Sequence, residues 1–299
     1  MIMIKKLKIG YFADGPWSHN AFEKIVTDER FDIRFIIPRN DTQDSTLFNF
    51  SKKYNIDYFK LKNVNSETSL TKISNYDCDV LVSMSFNQIF RKDIIKLTPI
   101  GIINCHAGKL PFYRGRNILN WVLINDEKEF GITVHFVDEG IDTGDIILQK
   151  AFTITDLDSY KTLLNTSYSA CANILYESLV QIAENNFVRI SQKTIHPLGF
   201  YCGMRSQGDE VINWNNNSRN LFNFIRSISK PGPIARTNNG INEITINKST
   251  FIKEAPVYIG TVGQVLSKTE NGFLVKTKDS FIEILEIEGR LKVGDKLGK

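Results

Sequence analysis

The sequence predicts an α/β fold: a Rossmann-like, mostly parallel sheet with helices on both faces, followed by a small C-terminal β domain. Three observations predict it. Short β-branched runs alternate with helical patterns from the N-terminus to about residue 185. The apolar run Gly101–Cys105 gives way to polar residues at its end, where an open sheet places its ligand crevice. Beyond residue 240 the pattern becomes short alternating runs separated by Asn-Gly and Lys-Asp turns, as in a small β-barrel.

Residues 5–12 (KKLKIGYF) read as a first strand, and Gly15-Pro16-Trp17-Ser18 punctuates it before an amphipathic helix through about Val26. A second strand, Phe31 to Ile37, is closed by Pro38. A helix from Thr46 to Tyr54, a short run from Ile56 to Leu61, a helix near 66–74 and a strand at 79–83 continue the alternation. No G-x-G-x-x-G follows the first strand, since Gly10 and Gly15 have the wrong spacing, so no dinucleotide cofactor is expected. Gly131 to Val137 and Asp145 to Ile154 read as strands. Ser159 to Asn185 reads as one long helix with apolar spacing at Leu163, Leu164, Tyr168, Ala172, Leu175, Leu179 and Ile182. The stretch 200–214 breaks the pattern and marks a boundary, so the expected division is a catalytic domain over 1–200 and a linker helix with a β-barrel over 201–299.

At 299 residues the chain suffices for one large domain or two modest ones. A charged share of 23% with 42% hydrophobic residues is ordinary for a soluble globular protein. The net charge of +4 suits an anionic ligand but falls short of the basic stripe of a nucleic-acid binder. Cys78, Cys105, Cys171 and Cys202 form no C-x-x-C pair, so free thiols in a reducing compartment are expected, without zinc or disulfides. The opening stretch MIMIKKLKIGYF is too short and too charged for a signal peptide, and no window reaches the length of a membrane span. A cytoplasmic protein without membrane contact is expected, and its apolar content is compatible with a homodimer.

Asn104 and His106, two residues apart on a strand, face the same side. The acidic loop Asp138-Glu139-Gly140-Ile141-Asp142-Thr143-Gly144-Asp145 can return a carboxylate to them. An imidazole that takes a proton from an attacking nitrogen, an amide that donates to a developing oxyanion and a carboxylate that orients the imidazole suit acyl transfer to an amine. A carboxylate there is also expected to raise the imidazole pKa. His135, inside an alternating strand, reads as a sheet-face residue, and His19 and His196 have no motif around them. The acidic loop lacks the order of a calcium loop, so no metal is expected.

Four segments in order carry a resemblance: Ile103-Asn104-x-His106; Leu110-Pro111-x-Tyr113-Arg114-Gly115; Gly131-x-Thr133-x-His135; and Gly140-x-Asp142-Thr143-Gly144-Asp145. They resemble the formyltransferases that use 10-formyltetrahydrofolate. The resemblance implies Asn104, His106 and Asp142 as the catalytic triad and 10-formyltetrahydrofolate as formyl donor. The donor pocket would lie along Met84, Phe86, Ile89 and Phe90, which also read as plain core at a strand–helix junction, with Glu139 and Gly140 from the acidic loop. It also makes the C-terminal module OB-like.

For the acceptor, Arg114, Asn117, Tyr201, Arg205, Trp214 and Arg226 are the candidate contacts. Arg114, Arg205 and Arg226 are candidates for anions, while Tyr201 and Trp214 could stack on a base or seal a junction. Arg205, Ile212 and Trp214 match a family passage that here lacks its Pro and carries Asn213 for Asp. GKLPFYRGRNILNW, with polar Asn117 and Asn120, is similar to the sugar N-formyltransferases of surface-polysaccharide (O-antigen) synthesis. The expected acceptor is therefore a dTDP-linked amino-dideoxy sugar, dTDP-4-amino-4,6-dideoxyglucose ahead of its 3-amino isomer. The alternative is methionyl-tRNA, which calls for a basic C-terminal module, whereas residues 206–299 hold 13 Lys and Arg against 10 Asp and Glu. A non-catalytic nucleotide or RNA binder and a formyl hydrolase are the remaining readings.

Overall fold

The structure is a computed structural model describing residues 6–298; Lys5, where the first strand is expected to begin, and the rest of the opening apolar stretch before it lie outside them. In chain order the elements are β1 (Leu7–Ala13), α1 (Pro16–Val26), β2 (Phe31–Ile37), α2 (Ser45–Tyr54), β3 (Asp57–Tyr58), α3 (Glu67–Ser74), β4 (Val80–Met84), α4 (Lys92–Ile95), β5 (Gly101–His106) and β6 (Arg114–Gly115). Then come α5 (Ile118–Ile124), β7 (Glu129–Phe136), β8 (Ile146–Thr153), α6 (Tyr160–Ala183), α7 (Gln192–Ile195) and β9 (Tyr201–Cys202). The chain closes with α8 (Ser218–Ser227), β10 (Ala235–Asn238), β11 (Glu243–Thr250), β12 (Val265–Lys268), β13 (Phe273–Lys276) and β14 (Phe281–Glu288).

Two compact units interleave along the sequence. One holds the residues up to Gly115 with Gly131–Phe152 and Thr166–Tyr201; the other holds Arg116–Phe130, Thr153–Asn165 and the residues from Cys202 onward. A single cut at 200/201 does not describe this arrangement, because α5 packs on α8 and the 153–165 segment binds the same helix.

The first unit is built on a seven-stranded sheet in the order β3-β2-β1-β4-β5-β7-β8. Strands β1 to β5 pair in parallel, and β7 runs antiparallel to β5. β4 is buried along its whole length, as expected for a parallel strand covered on both faces. Pro16 at the first turn of α1 fits the helix start, where a missing N–H costs nothing, and Asp44 caps α2 by accepting from the Leu47 N–H. Phe12 meets Phe35, Phe86 and Phe90 edge-on, at centroid distances of 5.3–5.7 Å, in a core that also takes Ile37, Leu81, Ile94 and Ile102.

The second unit carries a five-stranded antiparallel sheet in the order β10-β11-β14-β13-β12. Leu221 and Ile225 of α8 share a core with Trp214, Ile244, Ile246, Val275, Ile282 and Ile284. The run expected from Ile56 to Leu61 pairs only at Asp57–Tyr58, and among the short runs beyond residue 240 β12 starts only at Val265, because Gly263 at φ 81° turns the chain first. β10 went unpredicted: its sequence, Ala-Arg-Thr-Asn, is short and polar at three of four positions, though Ala235 and Thr237 point inward. Among the described residues no helix is long and apolar enough to cross a membrane.

Candidate active site

β5 ends between two partners that fix what faces the crevice. Ser83 of β4 pairs with Asn104 on one side; on the other, β7 sets His135 opposite Asn104 and Thr133 opposite His106. Because alternate residues share a face, Asn104, His106, Thr133 and His135 form one polar patch on the sheet.

His106 is 9% exposed, and its Nε2 lies 2.7 Å from the Tyr113 carbonyl. Nε2 therefore donates, which leaves Nδ1 as the proton-accepting nitrogen of the neutral ring. Gly108 makes this contact possible, since a Cβ there would lie 2.4 Å from both His106 Nε2 and the Tyr113 carbonyl oxygen. Thr133 and Gln149 hold the same turn: Thr133 Oγ1 donates to the Gly108 carbonyl at 2.7 Å and Gln149 Nε2 to the Leu110 carbonyl at 2.9 Å.

Asp142 completes the group. Its Oδ2 stands 3.6 Å from His106 Nδ1 and accepts the Gly115 N–H at 2.8 Å, and its Oδ1 stands 3.4 Å from His135 Nε2. Asp142 adopts φ 54°, a left-handed conformation that a non-glycine residue holds only when its surroundings enforce it. Gly144, just beyond it, admits no side chain, because a Cβ would lie 1.9 Å from the Phe136 carbonyl oxygen. Burial pushes the Asp142 carboxyl up, but the His106 and His135 imidazoles and the Gly115 N–H outweigh it and hold the group well below the usual carboxylate range. For His106 the balance goes the other way. Burial lowers its pKa more than Asp142 and the Tyr113 carbonyl raise it, so the net shift is downward, correcting the upward shift expected from Asp142 alone.

His135 belongs to this site, which the sequence pattern did not disclose. It is buried, with Nδ1 2.8 Å from the Phe136 carbonyl and Nε2 3.2 Å from Asn104 Nδ2. A neutral ring donating at Nδ1 accepts at Nε2 from the Asn104 amide, which fixes that amide with its other N–H free to donate; a protonated ring would donate to Asp142 instead. The alternation of Gly131-x-Thr133-x-His135 gives the shared face; only the antiparallel pairing with β5 gives the neighbour. Gln192, also missed, is buried and bonds to Arg114, to the Asp142 carbonyl and to the Gly144 carbonyl. Nothing in the polar stretch around it signals this.

The residues expected along the donor pocket divide. Met84 is buried, with its sulfur 3.8 Å from the Tyr11 hydroxyl, and Phe90 is buried against Phe12: both are core. Phe86 is half-buried, stacked on Phe90 at 5.7 Å, and Ile89 is 67% exposed. Asn65 holds this segment from both ends, donating to the Ile89 carbonyl and accepting from the Arg91 N–H, each at 2.8 Å. Glu139 and Gly140 are exposed at the tip of the acidic loop, where Asp138 accepts from the Gly140 N–H and the Thr143 hydroxyl.

Of the expected acceptor contacts, Arg114 lies over the Tyr201 ring at 5.5 Å, and Tyr201 is itself 54% exposed. Asn117, in the second unit, begins α5 in a left-handed conformation and accepts the Arg205 N–H at 2.9 Å. The Arg205 guanidinium donates to the Asp209 carbonyl and lies over Trp121 and Phe224. Trp214 and Arg226 are corrections. Trp214 is buried in the hydrophobic core, and its Nε1 donates to Thr237 Oγ1 at 3.0 Å, so its face is unavailable to a base. Arg226, 5% exposed, donates to Asn223 Oδ1 and to the Thr155 and Asp158 carbonyls, so its guanidinium anchors the 153–165 segment rather than an acceptor phosphate. Asn120, whose polarity suggested a sugar site, is buried and donates to the Ser227 carbonyl at 2.6 Å.

An α/β sheet that presents an imidazole, an amide and a carboxylate at one strand end has the equipment of an acyl-transfer enzyme. The chain belongs to the formyl transferase family: residues 27–179 match the formyl transferase domain and residues 205–293 the formyl transferase C-terminal domain. It is similar to the methionyl-tRNA formyltransferase of Pelotomaculum thermopropionicum, 34% identical over 240 residues that make up 79% of this chain and 74% of that protein. Its fold is similar to that of WlaRD, a sugar 3N-formyl transferase solved in the presence of dTDP and 5-N-formyl-THF, with TM-score 0.69 and 23% identity over 96% of this chain and all of that one. It is also similar to the N-formyltransferase from Helicobacter canadensis in complex with folinic acid and dTDP-3-aminofucose, with TM-score 0.68 and 22% identity over 94% of this chain and 100% of that one.

Proposed function

We propose that this protein transfers a formyl group from 10-formyltetrahydrofolate to the amine of a dTDP-linked amino-dideoxy sugar, for surface-polysaccharide synthesis. The observation that carries the transfer chemistry is the open Nδ1 of a buried His106, with Asp142 beside it and Asn104 two residues back on the same face. The neutral amine attacks the formyl carbon. Nδ1 takes the proton that the attacking nitrogen must lose, the Asp142 carboxylate stabilises the imidazolium so formed, and the free Asn104 N–H donates to the oxyanion. The oxyanion then collapses, the bond from the formyl carbon to N10 of the folate breaks, and the imidazolium returns its proton to that nitrogen, so that tetrahydrofolate leaves. The lowered His106 pKa suits this role, because the ring is then neutral and ready to accept at pH 7. The pterin of the donor would lie along the 85–91 segment, with Phe86 and Ile89 the side chains left to meet it.

For the acceptor, support comes from the fold shared with two enzymes solved with dTDP or a dTDP-sugar, and from the use of arginine in the second unit. There Arg219 pairs with Asp126 and Asp156, Arg236 with Glu210 and Glu243, and Arg226 with backbone carbonyls. These guanidinium groups are engaged within the unit, two of them by carboxylates, rather than presented to a polyanion, which favours a small anionic acceptor over tRNA. The name of the Pelotomaculum relative supports the competing tRNA reading. The test is release of tetrahydrofolate with a panel of dTDP- and UDP-amino sugars, 4-amino and 3-amino isomers included, beside initiator methionyl-tRNA. Turnover with a dTDP-sugar and none with tRNA is the expected result; turnover with tRNA alone overturns the acceptor, and turnover without any amine indicates a hydrolase.

A further inference from the structure

We propose that Gln192 is a positioning residue for the reaction, clamping the strap that carries Asp142 to Arg114 and so fixing the carboxylate against His106. The inference rests on the catalytic reading of His106 and Asp142 given above. Gln192 Oε1 accepts two hydrogen bonds from the Arg114 guanidinium, at 3.1 Å from Nε and 2.6 Å from Nη2. Its Nε2 donates two, to the Asp142 and Gly144 carbonyls, each at 2.8 Å. One buried amide thus makes four hydrogen bonds to residues 48 to 78 positions earlier in the chain.

The placement closes a ring. Gly115, next to Arg114, donates its N–H to Asp142 Oδ2, and Gln192 grips both sides of that bond, Arg114 on one and the Asp142 and Gly144 carbonyls on the other. Gln192 is itself anchored beside the strap, because Ile190 exchanges both backbone hydrogen bonds with Ile146, one residue past Asp145. The strap needs such support: Asp142 holds a left-handed backbone, and its contact to His106 Nδ1 spans 3.6 Å, longer than a hydrogen bond. A contact of that kind acts through space, so its effect on the imidazole follows the position of the carboxylate directly. The residue type follows from the task. A carboxylate would offer Arg114 an acceptor but repel the two carbonyls, a lysine would offer no acceptor, and an amide sets an oxygen that accepts twice beside a nitrogen that donates twice.

The ionisable groups facing His106 are Asp142 from the strap and His135 from β7; the Tyr113 carbonyl holds its Nε2. Asp142 raises the proton affinity of the ring against burial, so a carboxylate set loose lowers it. The test is Gln192→Met, close in size and without polar atoms. The His106 ring resonance, assigned with His106→Asn, is titrated by NMR in the ligand-free protein, and kcat and KM are measured alongside. The expected result is a fall in the His106 titration midpoint of about half a unit or more, and a loss of about tenfold in kcat with acceptor KM within about twofold. If Gln192→Met does not fold, Gln192→Asn, which keeps the amide but shortens its reach, carries the same expectation. A folded variant whose His106 titrates as in the wild type overturns the proposal even if activity falls, because a purely structural role would leave that midpoint unmoved. The titration needs no turnover, so wild-type protein inactive with every amine would sink the formyl-transfer reading and leave this arm standing.

Discussion

His106 and Arg226 are both polar side chains more than nine-tenths buried, and they are treated in opposite ways. At the end of β5, His106 satisfies one ring nitrogen with the Tyr113 carbonyl and keeps the other open, 3.6 Å from a carboxylate. On α8, Arg226 directs its Nε and Nη1 to Asn223, Thr155 and Asp158, and Arg219 beside it is tied to Asp126 and Asp156. A buried polar group with all its partners holds structure together; one with an unpaired, correctly oriented atom is available for chemistry. The contrast predicts which substitutions change rate and which change stability.

The largest rate effect is expected at His106. His106→Asn should lower kcat by about 10²–10⁴-fold, the range of a general base, with the melting temperature close to wild type. Asn104→Ala should cost about 10²–10³-fold through the lost oxyanion donor, read in the same tetrahydrofolate-release assay. The second region should respond in the other quantity. Trp214→Ala, which empties a core site and orphans Thr237, should destabilise by about 3–5 kcal/mol in denaturant unfolding. Arg226→Met should cost about 1–3 kcal/mol by removing the guanidinium's hydrogen bonds to Asn223 and to the Thr155 and Asp158 carbonyls. Both should leave acceptor KM unchanged, and a large KM rise with either would break the contrast. Smallest on stability is Ile89→Ser, within about 0.5 kcal/mol for so exposed a side chain, with a raised KM for the folate as its signature.

Much of the first region was legible in the sequence. Period-two alternation put Asn104 and His106 on one face and the acidic loop offered them a carboxylate, while the family resemblance singled out Asp142 among its acids. What remained hidden there, His135 and Gln192, depends on long-range contacts: the antiparallel run of β7 against β5, and a four-residue helix that delivers one amide to a loop 50 residues away. The second region was legible as short strands and turns but not in the use of its side chains. Trp214 and Arg226 matched motif positions, yet whether a tryptophan or an arginine faces a ligand or the interior is decided by packing, and here α8 and the five-stranded sheet enclose the first while the 153–165 segment engages the second. Met84 and Phe90 went the same way, since an apolar residue at a strand–helix junction fits a pocket wall and a core equally well until its neighbours are known.

The most direct test of the central claim, that His106 Nδ1 accepts the proton of the attacking amine under the influence of Asp142, is the pH dependence of kcat/KM for formyl transfer in the wild type and in Asp142→Asn. The neutral ring is the active form, so the rate should rise with pH through a midpoint below the ordinary imidazole value of about 6.5. Removing the carboxylate should move that midpoint lower still and reduce the plateau by about 10²-fold. An acid limb that stays in place when Asp142 is neutralised, or one that lies above the ordinary value, would contradict the account.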